Sequence, residues 1–90
     1  MYDILPYSYK QAKKLGVTIT PSHNPKKKLD IFKEGKFICS IGSAKMNDYP
    51  HYLKERGIEY ANERKRLYHI RHRKENIEDT PGYYSLHILW

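Results

Sequence analysis

Hydrophobic and polar positions alternate most regularly in Leu29-Asp30-Ile31-Phe32-Lys33 and in Lys36-Phe37-Ile38-Cys39-Ser40-Ile41, two strand-like runs joined through Glu34-Gly35. The pattern predicts an antiparallel hairpin over residues 29–41. Its register is a question of burial, because a slip of one residue turns every side chain to the opposite face. A two-residue turn at Glu34-Gly35 sets Phe32 opposite Phe37 and parts Leu29 and Ile31 from Cys39 and Ile41. A three-residue loop, Lys33-Glu34-Gly35, instead pairs Ile31 with Phe37 and Leu29 with Cys39. The second register gathers Leu29, Ile31, Phe37, Cys39 and Ile41 on one face and is the one expected. Phe32 and Ile38 then point outward, where they need a cover or a partner.

Helical signals flank the hairpin. Ser8-Tyr9-Lys10-Gln11 has the form of a capping box, and Gly16 suits the position past a helix end, which predicts a helix over residues 9–15. Val17-Thr18-Ile19-Thr20 reads as a short strand stopped by Pro21, and a polar loop carries the run Lys26-Lys27-Lys28. Asp48 before Tyr49-Pro50 is a cap followed by proline in the first turn, and Thr80-Pro81 repeats that start. Between them, helical spacing weakens at Gly57 and resumes from residue 58 to about residue 74. The last residues, through Tyr83, Tyr84, Leu86 and Trp90, fit a helix or a strand, and the Thr80 cap favours the helix.

On a wheel of about 100° per residue, residues 58–74 separate two arcs. Leu67, Tyr60, Tyr68 and Ala61 form an apolar arc, with Arg64 and Arg71, one heptad apart, in its middle. Arg64 and Arg71 either snorkel or are held as buried pairs, with Asp30 and Asp48 as possible carboxylates. Lys65, Arg66, His69, His72 and Arg73 make up a basic stripe on the other side. That stripe is either a solvated face or a contact surface for phosphates or acidic protein.

Charge sharpens this picture. The 90 residues hold 17 Lys+Arg against 10 Asp+Glu, for a formal net charge of +7. Residues 1–45 hold nine Lys and three acids, whereas residues 46–90 hold eight bases and seven acids with the bases clustered near Arg64. Such clusters attract polyanions, so Lys26, Lys27, Lys28, Lys65, Arg66, His69, His72 and Arg73 are the expected polyanion or partner contacts. Nine Tyr, two Phe and one Trp argue against disorder and are numerous for so small a core. Phe32, Tyr83, Tyr84 and Trp90 are therefore expected at an interface. No run approaches the ~18 apolar residues of a membrane span. The N-terminus lacks a basic-then-apolar leader pattern, and the lone Cys39 permits no internal disulfide, so synthesis in a reducing intracellular compartment is expected.

Motifs for catalysis are thin. Asp30 with Glu34-Gly35-Lys36 imitates an acidic metal site of nucleases, but Glu34 falls in the turn. His69 and His72 stand one helical turn apart without a complementary ligand pair for zinc. There is no Gly-rich phosphate loop and no nucleophile elbow. The expectation is a non-enzymatic protein with no metal, no cofactor and no small-molecule substrate.

Several segments resemble a family: Tyr7-Ser8-Tyr9-Lys10, Lys13-Lys14-Leu15-Gly16-Val17, Pro21-Ser22, Lys28-Leu29-Asp30-Ile31-Phe32, Asp48-Tyr49-Pro50, Arg66-Leu67-Tyr68-His69-Ile70-Arg71-His72 and Pro81-Gly82-Tyr83-Tyr84 with Leu89-Trp90. Over nearly its whole length the chain resembles small basic proteins encoded by giant double-stranded DNA viruses, the chlorella viruses among them. The resemblance brings no catalytic residues. It implies synthesis in the host cytoplasm and a place in the virion, with viral capsid proteins or viral DNA as partners. The combined expectation is a single α+β domain over residues 1–90: a small antiparallel sheet, a long basic C-terminal helix and short flanking helices. Its expected function is that of a minor capsid or virion-internal protein bridging larger neighbours. The alternative is sequence-independent DNA binding.

Overall fold

Three strands and a set of short helices make up the computed structural model, which describes residues 2–90. Helix α1 (Pro6–Leu15) leads into β1 (Thr18–Pro21), β2 (Lys27–Lys33) and β3 (Lys36–Ser43), which form one antiparallel sheet in the order β1-β2-β3. Helices α2 (Tyr49–Arg56) and α3 (Ile58–His72) follow, then a 3-10 turn at Arg73–Glu75. The chain closes with α4 (Pro81–Tyr84), continued by a π-helical segment over Ser85–Leu89. The fold is therefore α+β with a three-stranded antiparallel sheet.

The expected long basic C-terminal helix is not present. Gly57, at φ 89°, separates α2 from α3; α3 runs for 15 residues and leaves helical geometry at His72, and Thr80-Pro81 starts a new helix. The C-terminal element is instead a short apolar one. Both expected caps form: Asp48 accepts from the His51 N–H and Thr80 from the Tyr83 N–H. The Ser8 cap does not. Helix α1 begins earlier, at Pro6, and buried Ser8 donates its hydroxyl to the Ile88 carbonyl at 3.0 Å, while Gln11 reaches the His87 carbonyl at 2.9 Å. Gly16 does close the helix, its N–H bonded to the Lys13 carbonyl.

The hairpin combines parts of both registers. Its turn is the two-residue one, Glu34 and Gly35 at φ 52° and 78°, with Lys33 opposite Lys36 and Phe32 opposite Phe37. A bulge follows between Ile31 and Phe32, so that Ile31 pairs with Cys39 and Leu29 with Ile41. Ile38 is the extra residue. The bulge restores the apolar face that a plain two-residue turn would divide, while the turn itself keeps Phe37 opposite Phe32 on the outer face, against expectation. Leu29, Ile31 and Ile41 are buried with Ile19 of β1, and full burial of such a side chain is worth roughly 1.5–3 kcal/mol.

The C-terminal segment covers that face. Tyr84, Leu86, Ile88, Leu89 and Trp90 are all buried, against the sheet on one side and α1 and α3 on the other. At Gly42, φ 78°, a Cβ would come within 2.8 Å of Leu89 Cδ1 and 3.0 Å of Lys28 Cδ, so β3 approaches the segment too closely for a side chain.

Candidate interaction surfaces

The sequence-predicted contact residues divide into free and engaged groups. In the lysine run, Lys26 and Lys27 are exposed, but Lys28 is buried. Its Nζ lies 2.8 Å from Asp48 Oδ2, with Asp48 fully buried. The same carboxylate accepts from Tyr2 Oη at 2.7 Å and from His51 N at 3.2 Å, and His51 Nδ1 lies 2.9 Å away. Burial works to raise the Asp48 pKa, yet the Lys28 charge and these donors outweigh it and hold the carboxyl below the ordinary value. Burial and the Asp48 charge push the Tyr2 phenol far up. Lys28 is thus an internal counter-ion and not a polyanion contact.

Asp30, on the face of β2 opposite Leu29 and Ile31, is also buried. Ser22 and Ser40 each donate a hydroxyl to its Oδ1 at 2.6 Å, the His23 N–H donates to Oδ2 at 3.1 Å, and His23 Nδ1 sits 2.5 Å from Oδ2. Desolvation opposes ionisation, but these hydrogen bonds overcome it and depress the pKa well below the usual carboxylate range. The shell fastens the β1–β2 loop to the sheet. Among the described residues no group of three His, Cys, Asp or Glu converges as a metal site.

On α3 the expected stripe is split. Lys65, His69 and His72 are half-buried, while Arg66 and Arg73 are exposed. The Lys65 ammonium lies over two tyrosine rings, 4.7 Å from the centroid of Tyr49 and 5.7 Å from that of Tyr7, and donates to Tyr7 Oη at 3.4 Å. His72 stacks on Tyr68 at 4.2 Å and contacts Glu75. Desolvation lowers the His69 pKa, and its buried Nε2 has no hydrogen-bond partner among the described residues. Arg66 pairs with Glu63 one turn away. The body-facing side of α3 runs through Ala61, Arg64, Lys65, Tyr68 and His72, so the stripe is rotated inward from the expected solvent side. A helix with so few aliphatic residues packs through rings and cations instead.

The buried-pair alternative for Arg64 and Arg71 fails. Arg71 is exposed, and both proposed carboxylates are held by other groups. Arg64 is half-buried with its guanidinium 5.7 Å from the Tyr52 ring centroid; its Nε is buried without a partner among the described residues. Such an orphaned donor costs about 1–3 kcal/mol. Arg64, Arg71, His72, Tyr52, Tyr68 and Trp90 share the lining of one cavity of about 300 Å³.

Two of the four expected interface aromatics are core residues. Tyr84, 1 % exposed, bonds Asp79 at 2.5 Å, and Trp90 stacks on Tyr68 at 4.4 Å with the rings 8° apart. Tyr83 is half-buried against Tyr84 and His87. Phe32 is half-buried and meets Phe37 edge-on at 5.8 Å; His23 meets Phe37 from the other side at 5.6 Å. Phe37 is 50 % exposed, with Ile38 beside it at 38 %. The outer sheet face thus presents a His23–Phe37–Phe32 row on the side of β3, an edge strand of the sheet. The outward Phe32 and Ile38 pointed to this face in the sequence; Phe37 joins it through the two-residue turn, the register that burial disfavoured.

Comparison with protein-family models, with curated proteins and with solved structures returns no match.

Proposed function

We propose that this chain is a non-enzymatic structural component of a giant-virus particle, a minor capsid or internal protein that bridges larger neighbours. The exposed Phe37–Ile38 patch on the outer sheet face carries this reading. An edge strand with aromatic side chains and unpaired backbone groups is a docking template that isolated proteins usually blunt. Its surroundings specify the neighbour's chemistry. Lys36 at one end of the hairpin, beside Glu34, and Lys26 and Lys27 at the other are exposed, while Asp30 is buried and hydrogen-bonded internally, so the fitting partner is a capsid protein with an apolar centre and a mainly acidic rim. The virion setting itself rests on the sequence resemblance.

Purified particles provide the test. The chain should be present in them, and a photo-crosslinking residue at Phe37 should capture a capsid protein. Absence from particles ends the reading.

Sequence-independent DNA binding is the second reading, favoured by the exposed cations Arg66 and Arg73 on α3 and Lys10, Lys13 and Lys14 on α1. The inward engagement of Lys65 and His72 and the loss of Lys28 make it the weaker of the two.

A further inference from the structure

The cavity between α3, the connection from β3 to α2 and the C-terminal segment has an unusual lining. Arg64 and Arg71 supply cationic groups, His72 is taken up by Tyr68 and Glu75, and Lys28 reaches the cavity from β2 with its charge already matched by Asp48. No Asp or Glu lines it. Arg64 and Arg71 stand seven residues apart on one helix, on the same side, with Arg64 Nε buried and unpartnered among the described residues. Neutral donors complete the wall. Asn47 accepts the Asp48 N–H through Oδ1, which leaves its amide nitrogen free to donate, and Ser85 adds a hydroxyl. The aromatic part is already saturated: Tyr68 is sandwiched between Trp90 at 4.4 Å and His72 at 4.2 Å. The stack fixes the shape of the cavity and leaves its polar donors as the recognition groups.

Two guanidinium forks with no carboxylate to satisfy them match the oxygens of a tetrahedral dianion, for which arginine's planar geometry is suited. A volume of about 300 Å³ holds a phosphate with its ester substituent, at the small end of ligand sites. We propose that this cavity binds a phosphate group, with Arg64 and Arg71 as the paired donors. The phosphate arrives either on a free mononucleotide or on a nucleic-acid strand. The site does not depend on the capsid-bridging role, and either can fail without the other.

Trp90, the single tryptophan, packs in the cavity wall and reports occupancy by its fluorescence. The full chain is titrated with inorganic phosphate, AMP and a single-stranded oligonucleotide at low salt. A saturable change is expected with phosphate and AMP at millimolar concentration or below. Arg71→Gln, at an exposed position where folding is unaffected, should weaken it at least about tenfold, and Arg64→Lys, which keeps the charge but removes the fork, should do the same. Lys10→Gln, an equal loss of charge on α1, should leave it unchanged. A response to the oligonucleotide alone that Arg71→Gln abolishes assigns the phosphate to nucleic acid and supports the site. The proposal is overturned if no probe binds, or if Lys10→Gln weakens binding as much as Arg71→Gln does.

Discussion

Lys28 and Asp48, twenty positions apart, form an ion pair with Nζ and Oδ2 at 2.8 Å and almost no exposure of either side chain. The contact ties β2 to the start of α2, and Asp48 also caps that helix. Removing one partner strands a charge in the interior, which is more costly than the pair is stabilising. Lys28→Met should therefore lower the unfolding free energy by about 3–5 kcal/mol in a urea titration. The double variant Lys28→Met with Asp48→Asn should recover part of that loss. A Lys28→Met midpoint indistinguishable from the parent would show that water reaches Asp48.

Asp30 and Asp48 both have folded-state pKa values below the ordinary 3.8. A carboxyl lowered by folding adds stability at pH values above its unfolded pKa, and that contribution fades as pH falls through the folded value. Thermal stability should accordingly hold level between pH 7 and 5 as far as these groups are concerned, then fall below about pH 4. Ser22→Ala with Ser40→Ala removes two of the donors that hold Asp30 ionised, and should shift the onset of acid unfolding to higher pH. An onset that does not move would assign acid sensitivity elsewhere.

The split of the α3 stripe separates stability from binding. Lys65→Ala removes an ammonium held over Tyr49 and Tyr7 and should cost about 1 kcal/mol or more in chemical denaturation. Arg73→Gln, on the exposed side, should leave the midpoint within about 0.5 kcal/mol. If DNA binds, the slope of log affinity against log salt should shrink by about one unit for each phosphate-contacting cation removed. A slope unaffected by Arg66→Gln and Arg73→Gln together would exclude this face.

On the outer sheet face, Phe37→Ser and Ile38→Ser remove exposed apolar surface and should change stability little. Incorporation into particles, measured by quantitative mass spectrometry of virions, should drop several-fold. Normal incorporation of the double variant would exclude the patch as the docking surface.

Local chemistry was legible in the sequence, and long-range chemistry was not. Asp48 and Thr80 cap helices as their spacing to proline predicted, because a cap depends on three neighbouring residues. Ser8 has the same local signature but meets the Ile88 carbonyl, eighty positions away, and only tertiary packing could decide between those partners. Lys28 closes a lysine run that reads as solvated loop, yet β2 is buried on both faces from Lys28 to Ile31 and Asp48 supplies the counter-charge. The hairpin register failed for a related reason. Two demands, a favourable two-residue turn and an unbroken apolar face, were weighed as rivals, and a single inserted residue at Ile38 satisfies both. Arg64 and Arg71 stood out by position in the apolar arc, although the carboxylate partners suggested for them were engaged elsewhere.

The burial of residues 84–90 against the sheet has an outcome for synthesis. Tyr7, Ser8 and Gln11 near the beginning bind the carbonyls of Trp90, Ile88 and His87, and the apolar side of the sheet has no lid until those residues arrive. During synthesis Leu29, Ile31 and Ile41 emerge well before residues 84–90, so they stay uncovered until that segment joins the sheet. Contacts between such distant positions also make closure slow for a chain of this size. Until then, the emerging hairpin is a natural client for chaperones.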